Sequence, residues 1–513
     1  MAETKPQKDY WDFSALLLLI CYAFLQIAHW PLFPYHMDIH YHLHSAWGFM
    51  RAGGYSGWDF WQYAPFGRIN IYPPFFHIIL ALLSKIGAEA VFLAKFFQTL
   101  MPALFLFILW YVIKKNYSRR LGLFVLIALS SSFSFYLSLI NHIPATLAMI
   151  FGLLAFDQLF SNKILRSILL LTLCFYTHIG ISWLFAIAFI LYGLLNRHFL
   201  RLVIKIILVS LVLSFPVIWK QLAGMALISS SIIKEKYNCE FKTIEYLLAI
   251  AGLLVAWQKG RKYLFFPALF LASFIFLPYP YRFFSAEGYL PIIFLIASSL
   301  GWLYERIGCK GPILKALFFI LLIFVFFFSP SVVMKKEAGK NQVRSSLYFF
   351  DSAFVNMLFP GHNPRVSSEI VWFPDEFLSS AKLIKLNSDQ DDIIYCRLFN
   401  VSVTLGAMSG RAASNGLLPE IIPATRFDPY SVSKIILGTK SDDPLVLEAL
   451  IKRYHLIELG DNKIFIVYKN PLCRTKTIIR KASLTFTAIL LIACLFVLVF
   501  LKSERLERLV SGG

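Results

Sequence analysis

The residues best suited to chemistry lie together near the start of the chain, in the segment from Met37 to Phe76. Asp38 opens this segment, which continues with histidines, a Gly-rich turn and a Tyr-Pro-Pro. A carboxylate such as Asp38 can accept a proton from an incoming hydroxyl, or hold a divalent cation that neutralises a phosphate leaving group. The alternative is that Asp38 caps a short interfacial helix beginning near Ile39. Both interpretations stay open on spacing alone.

Two further features of this segment have a chemical and a structural interpretation. Asp59 is either a second acid beside Asp38 or the residue that fixes a turn by accepting backbone hydrogen bonds. The alternation of His40, His42 and His44 fits a strand better than one face of a helix, and this weakens the case for a three-histidine zinc site. Tyr72 begins a rigid Tyr-Pro-Pro entry into the next helix.

Three more polar residues stand at the ends of apolar runs, where ionisable groups are functional candidates. Arg282, in PYPYRFFSAEGY, suits a lipid-linked phosphate at the membrane edge; alternatively it pairs with Glu287 or extends to the interface. His142, in LINHIP, and His178, in FYTHIGIS, each occupy a very short turn. Either can be a site residue or a merely interfacial polar group.

The elements that must position these residues are membrane helices. Of the 513 residues 58% are hydrophobic and 15% are charged, and the hydrophobic residues come in runs of roughly the 20 residues that span a bilayer as a helix. This pattern disfavours a β-barrel. The runs predict about twelve spans, near 13–33, 90–113, 121–140, 144–160, 165–177, 180–196, 202–219, 244–258, 263–278, 285–304, 313–333 and 482–501. The segment 72–85 is apolar but short, and is expected either to lie on the interface or to span only partly.

The distribution of charge predicts the orientation. The net charge of +20 would suggest nucleic acid in a soluble protein, but every second connection between apolar runs is basic, as in membrane proteins whose basic loops face the cytoplasm. Both termini are then cytoplasmic. The segment 34–75, both histidine turns and Arg282 face away from the cytoplasm.

Composition also predicts three regions. Residues 1–333 form the transmembrane part with a first outer loop at 34–75, residues 334–476 form a small extracytoplasmic α/β domain, and residues 477–513 form a last transmembrane helix and a cytoplasmic tail. Strand-like runs at Asp392–Tyr395 and Lys463–Tyr468, and a helix-like run at Pro444–Tyr454, support the α/β assignment.

The first outer loop resembles that of the oligosaccharyltransferase catalytic subunit and related GT-C glycosyltransferases. In both, an Asp is followed in order by a Tyr-His pair, a Gly-rich stretch, Asp-x-Trp, Pro-x-Gly and Tyr-Pro-Pro. The segments NHIPATLAMIFGLLAF and PYRFFSAEGYLPIIFLIASS resemble the second outer loop and the Arg-Phe segment of that superfamily. The resemblance implies a GT-C-like membrane fold, with Asp38 as the essential carboxylate, acting as base or metal ligand, and Arg282 at a lipid-linked phosphate.

The resemblance also implies a polyprenyl-phosphate or polyprenyl-diphosphate sugar donor. Two departures matter: Asn141 and His142 replace the acidic pair of the second outer loop, and the signature Trp-Trp-Asp-Tyr-Gly is missing. We therefore expect transfer of a sugar to a hydroxyl of a lipid, glycan or protein, with Asp38 as base and with His42, Asp59, Tyr72, His142 and His178 near the substrate. The membrane would be the plasma membrane of a bacterium or archaeon, or one like the endoplasmic reticulum.

Three alternatives remain open at this point. The first is a metal-dependent oligosaccharyltransferase in which Asp38 and His142 share a divalent cation such as Mg or Mn. The second is a transporter for a polyprenyl-linked glycan, although neither internal repeats nor broken helices are evident. The third is a non-catalytic assembly partner that keeps the fold.

Overall fold

The apolar runs form helices along the described part of the chain. A computed structural model describes residues 10–34, 38–225, 237–308, 311–328, 330–336, 342–360, 374–417, 423 and 425–482. Its longer helices up to residue 328 are α1 (Tyr10–Ala28), α2 (Asp38–Ala52), α3 (Phe75–Lys85), α4 (Ala90–Asn116), α5 (Arg119–Ser131), α6 (Phe133–Asn141), α7 (Ile143–Phe160), α8 (Ile164–Thr177), α9 (Ile179–Leu195), α10 (Arg197–Met225), α11 (Thr243–Gln258), α12 (Phe265–Ala272), α13 (Pro280–Ser285), α14 (Leu290–Gly308) and α15 (Pro312–Phe328).

Helices occupy the predicted spans from 13–33 to 313–333, and the last predicted span, 482–501, lies outside the described residues. Among the described residues, five helices are long and apolar enough to cross a membrane, or six if the pair α5 and α6 counts as one span. The protein is therefore a polytopic α-helical membrane protein. The number of twelve crossings stays a prediction.

The predicted span at 121–140 consists of two helices with a sharp bend between them. Helices α5 and α6 meet at 89°. Ser132 leaves the helical conformation between them, and its hydroxyl accepts a hydrogen bond from the backbone N–H of Phe135 at 3.2 Å, which caps α6. The segment 72–85 contains α3, whose 11 residues extend roughly 16 Å and are too short to cross the bilayer.

The membrane helices pack closely where small residues face a neighbour. Gly252 of α11 lies so near α14 that a Cβ atom on it would stand 1.9 Å from the carbonyl oxygen of Leu295. The large buried cluster that runs through α4, α5, α7, α9 and α14 contains mainly Leu, Ile, Phe and Ala side chains. This packing holds the helix ends, and the polar residues on them, in fixed positions.

Polar residues lie at two opposite ends of the same helices. At one end of α7 stands His142, and in its last turn Asp157 accepts a hydrogen bond from Lys115 at 2.7 Å. Likewise Glu287 precedes α14, whereas Glu305 near its C-terminus accepts hydrogen bonds from Lys259 at 2.9 Å. The basic connections and the histidine turns are therefore separated by the length of the helices.

The C-terminal part has the predicted α/β character. Its helices are α16 (Ala353–Leu358), α17 (Pro374–Asn387), α18 (Phe399–Ser409), α19 (Pro429–Val432) and α20 (Pro444–Tyr454), and the last coincides with the predicted helix. The strands among the described residues are β1 (Trp58–Asp59), β2 (Arg68–Ile69), β3 (Tyr237–Phe241), β4 (Ser331–Lys336), β5 (Val343–Tyr348), β6 (Ile393–Cys396), β7 (Ala412–Ala413), β8 (Ile435–Thr439), β9 (Ile457–Asp461) and β10 (Phe465–Lys469). Both predicted strands, at 392–395 and 463–468, are present within two residues.

The strands form one mixed sheet and two small antiparallel ones. The five-stranded sheet has the order β7-β6-β8-β10-β9, in which β6 is parallel to β7 and β8 and the remaining pairs are antiparallel. Strand β3 pairs with β4, and β4 with β5, so this sheet straddles the predicted boundary at residue 333. The division into 1–333, 334–476 and 477–513 stays a prediction.

The first loop extends the edge of the five-stranded sheet. The N–H of Ala413 in β7 donates to the carbonyl of Trp61 at 2.9 Å, and the N–H of Ala64 donates to the carbonyl of Ala413 at 3.0 Å. The carbonyl of Arg411, just before β7, also lies 2.8 Å from Nε2 of His44 in α2. The α/β unit is thus joined to the segment that carries Asp38.

Candidate functional site

The predicted site residues come together around one cavity. It has a volume of about 140 Å³ and is lined by Asp38, Tyr41, His42, Tyr72, Asn141, His142, Pro144, His178, Arg282 and Leu417. These residues come from the first loop, the turns before α7 and α9, helix α13 and the α/β unit. Of the seven predicted residues only Asp59 lies elsewhere, and residues brought together from such distant parts of the chain make this cavity the candidate site.

Asp38 is the first residue of α2, so the carboxylate lies at the positive end of a helix. The helix predicted to begin near Ile39 is therefore present with Asp38 at its start, and Asp38 also lines the cavity. The strand suggested by the histidine alternation is wrong, because His40, His42 and His44 all lie within α2. Residues two apart in a helix differ in direction by roughly 200°, so these three rings cannot converge on one metal ion.

His42 reaches the cavity and is paired with a second histidine behind it. Its Nδ1 lies 2.9 Å from Nε2 of His77, which belongs to the first turn of α3. The two residues are 5% and 1% exposed. Burial, together with the neighbouring His77, His178 and His142, lowers the pKa of His42 well below its ordinary value. Burial also lowers the pKa of His77 to about 3, so both rings are neutral at pH 7.

Arg282 and His142 share one buried carboxylate. Glu287 is fully buried, and its Oε1 accepts hydrogen bonds from Nδ1 of His142 at 2.8 Å and from Nη1 of Arg282 at 3.4 Å. The predicted alternative of an Arg282–Glu287 salt bridge is thus present in the same residue that lines the cavity. Burial acts to lower the pKa of Arg282, but Glu287 together with Tyr72, Tyr281 and Tyr279 outweighs burial and raises the pKa above its ordinary value. The guanidinium therefore carries a full charge.

Tyr72 and His178 are neighbours in the lining of the cavity. Burial raises the pKa of the Tyr72 hydroxyl, which therefore stays protonated. The Tyr72 ring contacts the rings of His42 at 5.3 Å and His178 at 6.2 Å between centroids. Nδ1 of His178 accepts the backbone N–H of Ile181 at 3.3 Å and so caps α9, while the residue also lines the cavity. The sequence left open whether His178 was structural or part of the site, and it occupies both positions.

Asp59 anchors a polar cluster that holds one wall of the cavity. Its carboxylate accepts the backbone N–H of Gln62 at 3.0 Å and Nε of Arg68 at 3.1 Å. Arg68 in turn donates to the carbonyl of Leu417 at 2.6 Å, and the Leu417 N–H donates to Oε1 of Gln62 at 2.9 Å. We call these four residues, Asp59, Gln62, Arg68 and Leu417, the Arg68 clamp. Asp59 therefore has the second of its predicted roles, fixing the loop, and is not among the cavity residues.

Sequence reasoning missed several members of this site. Glu287 was considered only as a partner for Arg282, although an acid directly before an apolar span is itself a functional signal. Leu417 and Arg68 are 349 positions apart, and no local pattern can reveal such a contact. The contact between His42 and His77 was also missed, because His77 lies within an apolar run and did not attract attention as a polar residue.

Among the described residues no group of three or more His, Cys, Asp or Glu side chains is placed to hold a metal ion. Asp38 and His142 both line the cavity, and Nδ1 of His142 is hydrogen-bonded to Glu287. A carboxylate behind a histidine in this way is typical of metal ligands. The two residues therefore fit as a pair of ligands for the divalent cation that the resemblance implies.

Comparison with solved structures gives GT-C glycosyltransferases. The apo oligosaccharyltransferase of Archaeoglobus fulgidus matches with a TM-score of 0.57 and 8% identity, over 84% of this chain and 70% of that chain. The same enzyme in complex with Zn and sulfate matches with a TM-score of 0.53 and 10% identity, over 89% of this chain and 73% of that chain. ArnT from Cupriavidus metallidurans, bound to undecaprenyl phosphate, matches with a TM-score of 0.53 and 12% identity, over 90% of this chain and 98% of that chain.

The sequence matches no protein-family model and no curated protein sequence. At 8 to 12% identity the similarity to the solved structures is one of fold. The chain therefore has a GT-C-like fold, as the first outer loop suggested.

Proposed function

We propose that this protein is a membrane glycosyltransferase that moves a sugar from a polyprenyl-phosphate carrier to a hydroxyl group of a lipid, glycan or protein. The observation that carries the proposal is the convergence of Asp38, His142 and Arg282 on one cavity within a GT-C-like fold. An acid, an arginine and neutral polar groups in one cavity suit transfer between a phosphate and a hydroxyl.

In the proposed reaction the acceptor oxygen attacks the anomeric carbon of the donor sugar. The bond between that carbon and the phosphate oxygen breaks, and the polyprenyl phosphate leaves with the bonding electron pair. Asp38 takes the hydroxyl proton, and the Arg282 guanidinium holds the negative charge that develops on the phosphate. Because attack and departure occur on opposite sides of the carbon, the anomeric configuration is inverted.

A hydroxyl acceptor is favoured over a carboxamide nitrogen. Among the described residues that line the cavity, Asp38 is the one carboxylate. The resemblance of the second outer loop implies that Asn141 and His142 stand in place of an acidic pair. The buried carboxylate of Glu287 is already engaged by His142 and Arg282. One positioned base is sufficient for a hydroxyl, whereas an amide nitrogen needs stronger activation.

The proposal places the reaction on the extracytoplasmic face. The basic helix ends around Lys115, Lys259 and Arg120 lie at the opposite end of α7 and α14 from the cavity. Basic connections face the cytoplasm in most membrane proteins, so the cavity and the α/β unit would face away from it. Both chain termini would then be cytoplasmic.

A divalent cation, Mg or Mn, would be held by Asp38 and His142 if the protein uses one. A bound cation would supply Lewis-acid stabilisation of the leaving phosphate. The role of Arg282 at the phosphate is the same with or without it. Sensitivity to a chelator separates the two versions.

The proposal is tested by measuring release of undecaprenyl phosphate from a panel of undecaprenyl-phosphate-linked sugars, with the full-length protein in liposomes. Asp38→Asn should lower the rate by roughly 100- to 10,000-fold, the range for loss of a general base. Asp461→Asn is the matched control, because Asp461 is an exposed acid of the α/β unit. The control should keep the wild-type rate.

Full release by Asp38→Asn would refute the assignment of the base. Translocation of an intact donor across the liposome bilayer, with no release of undecaprenyl phosphate, would instead support the transporter. Loss of release in the presence of a chelator, together with loss in His142→Ala, would favour the metal-dependent version.

A further inference from the structure

The pair formed by His42 and His77 determines which ring nitrogens carry protons. A neutral imidazole has one N–H donor and one bare acceptor nitrogen. Since Nδ1 of His42 and Nε2 of His77 are 2.9 Å apart, one of them donates and the other accepts. In the ring that donates, the remaining nitrogen is bare; in the ring that accepts, the remaining nitrogen carries the proton. The contact therefore links the two tautomers, and only two arrangements of the pair are possible.

The environment of His77 indicates which of the two arrangements is present. Nδ1 of His77 is buried and has no hydrogen-bond partner among the described residues. The His77 ring is enclosed by the rings of Tyr41, Phe49 and Tyr72. A buried N–H without an acceptor is rarer and less favourable than a buried acceptor without a donor. The proton of His77 therefore resides on Nε2 and is donated to His42.

The position of His77 in the fold points the same way. It lies in the first turn of α3, where the helix dipole disfavours a positive ring. A doubly protonated His77 is also disfavoured by its burial. The pair is thus neutral, and the Nδ1 of His42 accepts.

We infer that His42 presents a permanent neutral N–H donor, at Nε2, to an anionic phosphate oxygen in the cavity. Its Nδ1 is occupied by His77, and Nε2 is the atom on the other side of a ring that lines the cavity. His42 is therefore a donor and neither a general base nor a metal ligand. In His142, by contrast, it is Nδ1 that carries a proton, which it donates to Glu287.

This assignment rests on the proposed function for the identity of the phosphate. Arg282 and His42 then have different roles in the cavity. Arg282 supplies a positive charge, whereas His42 supplies a directed hydrogen bond that does not depend on pH near neutrality. Asp38 remains the group that accepts a proton. Because the His42 donor is uncharged, it forms no salt bridge with the Asp38 carboxylate in the same cavity.

The tautomer is tested directly by nitrogen-15 NMR of full-length protein labelled at histidine. Comparing spectra of the wild type and His42→Gln identifies the His42 signals. We expect Nε2 protonated and Nδ1 bare at pH 7, and unchanged at pH 5.5. In His77→Leu the constraint is lost, and both tautomers of His42 should be populated. A protonated Nδ1 on wild-type His42, or a cationic ring at pH 7, would overturn the inference.

The ligand is tested by binding undecaprenyl phosphate to the same protein in detergent, with undecaprenol as the uncharged probe. His42→Phe should weaken binding of undecaprenyl phosphate by roughly 10- to 100-fold, the usual effect of losing a hydrogen bond to a charged group. His42→Gln, which can place an N–H near the position of Nε2, should restore most of the affinity. His198→Phe is the control, because His198 is exposed at the basic end of the helices.

The outcomes separate this inference from the proposed function. If the wild type binds undecaprenyl phosphate and His42→Phe binds it equally well, the donor role is wrong and the proposed function stands. If the wild type binds undecaprenol as tightly as undecaprenyl phosphate, the phosphate site itself is wrong, and with it the partner assigned to His42. A loss in His42→Phe that also affects undecaprenol would indicate altered packing and would overturn the donor role.

Discussion

The Arg68 clamp predicts that a single substitution will loosen the cavity wall from the α/β unit. Arg68 is 4% exposed and joins Asp59, Gln62 and the backbone of Leu417. Arg68→Met keeps much of the side-chain volume but removes the charge and the donors. The Asp59 carboxylate is then left buried without its partner, and this costs about 3 to 5 kcal/mol.

That free energy should appear as faster local opening around Leu417. At about 1.4 kcal/mol per factor of ten, a loss of about 3 kcal/mol increases the open fraction at least 100-fold. Hydrogen–deuterium exchange of the peptide covering residues 411–417 measures this fraction, because the amides of Ala413 and Leu417 are donors to the first loop. The double variant Arg68→Met with Asp59→Asn should exchange more slowly than Arg68→Met, since the buried charge is gone.

A matched control is available in the same unit. Lys440 and Asp461 form a 2.8 Å ion pair whose side chains are 46% and 52% exposed. Exposed pairs contribute roughly 0.2 to 1 kcal/mol, so Lys440→Met should change exchange by less than about fivefold. If Arg68→Met behaved like Lys440→Met, the clamp would not hold the wall and the reasoning would be refuted.

Two further predictions concern stability. Burial lowers the pKa of His77 to about 3 in the folded state, against an ordinary value of 6.5. The folded state therefore binds fewer protons than the unfolded state below pH 6.5. The contribution of His77 to the free energy of unfolding is fully present above pH 6.5 and is about 2 kcal/mol smaller at pH 5. Thermal unfolding in detergent should show this loss, and His77→Gln should reduce it; an equal loss in both proteins would contradict the assignment. Gly252→Ala should lower the free energy of unfolding by about 1 to 3 kcal/mol, because the added methyl group would collide with the Leu295 carbonyl. Gly301→Ala is the control and should be tolerated, because its methyl group would stand 3.9 Å from Leu121. Equal melting temperatures for Gly252→Ala and Gly301→Ala would contradict the close approach of α11 and α14.

Much of the membrane part could be predicted because each helix is encoded by its own apolar run. The length of a run determines whether it can span, and the helix Pro444–Tyr454 was likewise predicted from its local pattern alone. A local pattern could not predict the secondary structure where the same pattern fits both a strand and a helix. The alternating histidines of α2 resemble a strand, but apolar contacts at Ile39, Leu43 and Ala46 hold the segment as a helix. The bend at Ser132 was missed because hydropathy does not register a change of direction.

The candidate site was predicted residue by residue but not as an arrangement. Asp38, His142 and Arg282 were each noticeable because polar groups at the ends of apolar runs are unfavourable unless they have a role. Their convergence depends on how α2, α7 and α13 pack, and packing is a property of the whole chain. Contacts such as Arg68 with Leu417 link positions with no sequence relation at all.

The most direct test of the central claim is a cryo-electron microscopy structure of the full-length protein with undecaprenyl phosphate. We expect phosphate density in the cavity lined by Asp38, His42 and Arg282, with phosphate oxygens about 3 Å from the guanidinium of Arg282 and from Nε2 of His42. Phosphate density outside this cavity, with Arg282 still bound only to Glu287, would contradict it.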